Sequence, residues 1–155
     1  MSRKKCKRKV WPTQVDTIAI AIDGARITDA AHLDKLRLRE LAAIEAFARG
    51  RATVEDWKDL ADMLNVAETM GTQGIGPEVL PVCETAQRAL AEAHRRHTQL
   101  GKLGLSGPEL QALRELHEYH DLQRTSVDRS QYFRSIQATQ NRIRSAHPSH
   151  KVCIV

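Results

Sequence analysis

Four histidines have the spacing that metal chemistry needs. His94 and His97 stand three residues apart in HRRH, and His117 and His120 stand three apart in HEYH. Residues three apart on a helix share a face, so two such pairs on antiparallel neighbours can surround a metal ion. The flanking residues argue the other way. Arg95, Arg96 and Glu118 place both pairs on solvent faces, where histidines tune charge near neutral pH. HEYH is not the H-E-x-x-H zinc helix, because its second histidine comes one residue early. No E-x-x-H pair of the di-iron type occurs either. The expectation is therefore no metal and no other cofactor, with these four histidines as the only candidate ligands.

Covalent catalysis finds less support. No serine sits in a G-x-S-x-G elbow. Cys83 falls at a core position of a helix with no base beside it. Cys6 lies among lysines that lower its thiol pKa, so it is either a reactive thiol or a free cysteine in a floppy arm. With Cys153, the cysteine count is three, odd and without a CxxC pair, which fits a reducing compartment. The carboxylate pairs Glu55/Asp59 and Asp59/Asp62 read as one exposed helix face. Gly71, Gly74 and Gly76 resemble a phosphate loop, but no strand precedes them and no GK[ST] follows. No enzyme signature emerges.

Phosphate binding is the chemistry with firmer residues. Arg3, Lys4, Lys5, Lys7, Arg8 and Lys9 put six bases and no acid in the first ten residues. Arg129, Arg134, Arg142 and Arg144 stand near the outer face of the last helix, interleaved with Gln131, Gln137, Gln140 and Asn141. Arginine and amide side chains hold phosphates and read base edges, and Trp11 and Tyr132 are available to stack. No helix–turn–helix can be pointed to. From Arg124 onward there are six bases and one acid, so the body between the two basic ends is acidic. Either the ends fold back on the body or a neighbouring subunit, or they form a two-part surface for phosphates.

These residues need elements to hold them. The 155 residues are 41% hydrophobic, 28% charged and only 4% aromatic, which suits one helical domain built on Ala and Leu. Five or six helices joined by short loops are expected, an all-α bundle. Val15 to Ile22 is either a strand or a short helix, and Asp16 and Gly24 favour the helix. TDAAHLDKLRLRELAAIEAFARG runs from a Thr28 or Asp29 cap to a Gly50 stop, with Leu33, Leu36, Leu41, Ile44 and Phe47 as its inner stripe. Thr53 and Asp56 form a capping box ahead of Trp57, Leu60, Leu64, Ala67 and Met70. A helix introduced by Pro77 follows the glycines and buries Val82, Ala86, Ala89, Leu90, Ala93 and Leu100. Ser106, Pro108 and Glu109 start the next, which turns Leu110, Leu113, Leu116 and Leu122 inward. The last begins at Ser126 and buries Phe133, Ile136 and Ile143. The division is a flexible basic arm at 1–12, a single domain at 13–146 and a tail at 147–155 ending in an apolar VCIV. No stretch approaches the length of a membrane span, and VDTIAIAID, broken by acids, is no signal peptide. Contact with a membrane is not expected, and the expected location is cytoplasmic.

The start SRKKCKRKV, the stretch GRATVEDWKDLADMLNVAETM, the glycine-rich turn before PEVL, and LSGPELQALRELHEYHDLQRTSV resemble a group of small helical accessory proteins carried by proteobacterial phages and prophages. The HRRH pair and the VCIV end depart from that group. The resemblance implies no catalytic residues. It implies a host-cell cytoplasmic setting and a non-enzymatic protein that binds and blocks or modulates a host defence or regulatory factor. The alternative is a nucleic-acid or nucleotide binder using the arm and the last helix. A face such as Trp57/Leu60/Leu64 could form a homodimer or anchor a partner, with core packing the favoured reading of it.

Overall fold

The computed structural model describes residues 30–147, with side chains from Leu33 onward. The basic arm, Trp11, the Val15–Ile22 segment and the VCIV end lie outside the described residues. Five helices and no strand occur among the described residues: α1 (Ala30–Ala48), α2 (Val54–Thr72), α3 (Val79–Leu100), α4 (Gly107–Thr125) and α5 (Arg129–Ser145). The bundle is all-α, as the periodicity requires.

Local signals set most of the ends. The Thr53 hydroxyl accepts from the Asp56 amide, while the Asp56 carboxylate accepts from the Thr53 amide at 2.7 Å. Ser106 and Glu109 repeat this box at the head of α4. Each box satisfies amides that the first helical turn leaves without partners. Gly50 takes the left-handed conformation past α1, at φ +66°.

α2 is the axis of the fold and packs against each of the other four helices. Trp57 and every residue from Leu60 to Gly71 are buried. Trp57 is fully enclosed, and its indole N–H donates to the Leu90 carbonyl of α3 at 3.0 Å. With Leu60, Leu64, Leu90, Leu113 and Leu116 it forms the main core. Leu36, Val66, Met70, Tyr132 and Ile136 form a second one between α1, α2 and α5.

The packing settles the reading of one face and corrects several other expectations. The Trp57/Leu60/Leu64 face is core and offers nothing to a partner. Asp62 is 4% exposed rather than on a solvated face, because neighbours enclose α2 on all sides. Leu41, Leu100 and Leu122 point outward, at 41%, 67% and 68% exposure. In α1 the inward positions next to Leu41 belong to Glu40 and Ala43, and in α4 Gln123 and Arg124 turn inward beside Leu122. α5 starts at Arg129, not Ser126. Ser126 closes α4, its hydroxyl donating to the Gln123 carbonyl, and Asp128 caps α5 by accepting from the Gln131 amide.

Candidate functional site: an apolar-edged groove above a buried ionic cluster

α1 and α4 run beside each other and leave a groove of about 920 Å³ between them. Leu38, Leu41 and Leu122 edge it, and Ala42, Ile44 and His117 contribute to its lining. Leu38 is 64% exposed. Arg37 bridges to Asp121 across the groove at 2.9 Å, and Glu45, Arg114, Glu118 and Thr125 also line it.

Beneath lies an ionic cluster. The Arg124 guanidinium of α4 donates to the Glu40 carboxylate of α1, and both residues are only 7% exposed. His117 Nε2 lies 3.6 Å from the same Glu40 oxygen, and Asp121 lies 3.9 Å from Arg124. Burial pushes the Glu40 carboxyl above its ordinary range, and the Arg124 charge offsets this only in part. For Arg124, burial opposes the charge, but Glu40 and the other acidic partners outweigh it and the guanidinium stays protonated. Burial, then the Arg124 charge, holds His117 below the usual histidine range.

His120 sits deeper, with no exposed surface. Its Nδ1 meets the Gln123 side-chain oxygen at 3.0 Å, and its Nε2 meets the Tyr132 hydroxyl at 3.3 Å. An amide oxygen only accepts, so Nδ1 carries the proton and Nε2 accepts from the tyrosine. Burial, reinforced by the Arg124 charge, holds this imidazole well below its ordinary pKa. Burial likewise pushes the Tyr132 phenol up to about 12. Gln123 donates to the carbonyls of Ala67, at 3.2 Å, and Ile75, at 2.8 Å, which ties α4 to both sides of the turn after α2.

The four singled-out histidines do not gather. His94 packs against Trp57 with ring centroids 6.1 Å apart, and His97 is half-buried on the same helix. His117 and His120 are interior rather than on a solvent face, because the i, i+3 stripe they share is the one α4 turns toward α1, α2 and α5. Among the described residues, no group of three or more His, Cys, Asp or Glu stands ready to hold a metal ion.

The arginines of α5 divide. Arg129, Arg134 and Arg144 are exposed. Arg142 is half-buried and turned to α2, donating to the Asn65 carbonyl at 3.1 Å and lying 3.7 Å from Glu68. Tyr132 is enclosed at 4% exposure and has no face to stack on a base. Arg3, Lys4, Lys5, Lys7, Arg8 and Lys9 lie outside the described residues.

Glu40 and Arg124 were not among the sequence candidates. The signal for Glu40 is an acid at the spacing of an apolar stripe: Leu36, Glu40, Ala43, Ile44 and Phe47 share one face of α1. Arg124 follows Leu113, Leu116 and His120 on α4 in the same way.

Chemically, the cluster locks two helices in register, and the groove above it offers apolar contact with a mixed charged rim. No serine or cysteine lines it. No helix among the described residues is long and apolar enough to cross a membrane. No protein-family model matches the chain, and no curated protein or solved structure is similar to it, so nothing in these comparisons indicates a phage origin.

Proposed function

We propose that the chain is a non-enzymatic binding protein whose contact surface for a polypeptide is the groove between α1 and α4. The observation that carries this reading is the gathering of three exposed leucines, Leu38, Leu41 and Leu122, along one depression. Single exposed leucines are ordinary, but a contiguous patch rimmed by charge marks a contact site. Each of these leucines is already part-buried, and taking the rest of its side chain from water contributes about 1 kcal/mol. The rim charges then steer and orient what the leucines hold.

The test is a photo-crosslinking amino acid placed at Leu122 in the full chain in cells, with Leu100 as the control. Leu100 is equally exposed, at 67%, but does not line the groove. A polypeptide adduct from position 122 and none from position 100 supports the reading. Equal labelling from both positions, or none from either, refutes it.

A second reading rests on Arg129, Arg134 and Arg144, which leave α5 on the exposed side. Together with the basic arm they would hold phosphates of a nucleic acid. Each lost phosphate contact lowers the slope of log affinity against log salt by about 0.9. Replacing the three arginines by glutamine and measuring that slope decides it.

A further inference from the structure

We infer that the polypeptide that fills this groove is a second copy of the chain, laid antiparallel with α1 against α1 about a two-fold axis near Leu41. The inference rests on reading the groove as a polypeptide contact.

The argument is the order of charges along the outer stripe of α1. Asp34, Leu38, Leu41 and Glu45 recur at spacings of four, three and four along α1, Arg49 in the turn just past its end continues the row, and all five are exposed. Arg37 flanks the stripe and is also exposed. From the N-terminal end the pattern reads acid, base, leucine, leucine, acid, base. Turned end for end about Leu41, it complements itself. Asp34 falls opposite Arg49 of the second copy, and Arg37 falls opposite its Glu45. Leu41 then meets Leu41 of the second copy at the axis, and Leu38 falls a turn to either side, between Leu41 and Glu45 of the other copy. A two-fold contact requires this property, because one patch must match its own reversed image. An arbitrary amphipathic partner requires no such symmetry.

The surroundings agree. Leu122 on α4 forms the other edge of the groove, so the leucines of the incoming α1 enter between two walls. The result is α1 and α4 of each copy in a four-helix arrangement. Arg37 and Glu45 are already paired within the chain, to Asp121 and to Arg49. Those bridges are exposed, with the Arg37 and Glu45 side chains 51% and 50% accessible, and exposed bridges are weak enough to be shared or exchanged.

The experiment is sedimentation of the full purified chain over a concentration series, with circular dichroism as the check on folding. The wild type is expected to move from monomer to dimer as concentration rises. Leu41→Lys puts two cations at the axis and is expected to leave only monomer with unchanged helix content. Glu45→Arg opposes two arginines twice, and Arg37→Glu opposes two glutamates twice, so each alone is expected to weaken self-association at least tenfold. Mixed one to one, these two variants regain both ion pairs and are expected to form a heterodimer of near wild-type affinity. A wild type that stays monomeric overturns the inference, as does a dimer indifferent to Leu41→Lys, or two charge variants that ignore each other when mixed. A crosslink from position 122 to a different protein, with a monomeric wild type, removes the second copy but keeps the groove as a polypeptide site. No crosslink at all removes the underlying reading.

Discussion

Glu40 on α1 and Arg124 on α4, 84 residues apart in sequence, share a hydrogen-bonded ion pair directly beneath the groove. The pair ties α1 to α4. Taking two charges out of water is costly, and their attraction returns that cost only while both are present.

Glu40→Gln therefore leaves a buried guanidinium without its counter-charge and is expected to destabilise the fold by about 3–5 kcal/mol. Replacing both residues by methionine removes the charges together and should cost much less than Glu40→Gln. Urea unfolding of wild type and these variants checks this. A double variant as unstable as Glu40→Gln would mean that the site is held by shape rather than by charge.

His120 gives the interior its response to acid. Its folded pKa lies well below the ordinary 6.5, so the unfolded chain takes up the proton first as pH falls. Stability is fully present above that ordinary value and is lost as pH drops from there toward the depressed one. Each such histidine removes about 1.4 kcal/mol per pH unit in that window. His117 acts in the same direction. His120→Gln should flatten the decline by one proton's worth, read from unfolding free energies over a pH series. Imidazole NMR shifts of the wild type should show His120 neutral, with its proton on Nδ1, below pH 6.5.

Asp62 acts in the opposite sense. One of its carboxylate oxygens is buried without a hydrogen-bond partner, and Asp59 stands near. Burial, then the Asp59 charge, pushes its pKa well above the ordinary 3.8. A raised value means that the folded chain holds the proton more tightly than the unfolded chain does. Stability is lost as pH rises through the span between the two values. Asp62→Asn keeps the shape and has no proton to lose, so above that span it should be more stable than wild type by about 1–3 kcal/mol. The gain should shrink toward zero as pH falls to the ordinary carboxylate range. A variant less stable than wild type at neutral pH would show that the charge has a partner worth keeping.

The helices were legible because their signals are local. Thr53 with Asp56, and Ser106 with Glu109, announce two starts within four residues each, and Gly50 announces a stop. The phase of each inner stripe was less legible. Leu41 is more apolar than Glu40, and Leu122 than Gln123, yet the polar residue of each pair turns inward. One residue rotates a helix face by about 100°, so a single leucine cannot set the phase. What sets it is the meeting of Glu40 with Arg124, which has no local trace. The same reason hid the buried polar residues of α2, since only a helix enclosed by four others needs Asp62, Asn65 and Glu68 inside. His117 and His120 stood out in the sequence by their spacing. That their stripe faces the interior depends on α1 and α5, which the spacing does not contain.

Gly76 tests how firmly α4 is held to the turn after α2. Its φ of +55° is left-handed, and an added Cβ would meet Gln123 Cγ at 3.1 Å. Gly74, with φ +87°, has nothing within 4 Å of such a Cβ. Both alanine variants carry the strain of a left-handed residue, about 1–2 kcal/mol. Only Gly76→Ala also displaces the side chain that holds the Ile75 and Ala67 carbonyls and accepts from His120. Gly76→Ala should therefore cost more than Gly74→Ala in the wild-type chain. In a Gln123→Ala background the contact is gone, and the excess of Gly76→Ala over Gly74→Ala should vanish. Thermal unfolding of the single and double variants reads this as a coupling energy. An excess that persists without Gln123 would place the strain in the turn backbone instead of in its contact with α4.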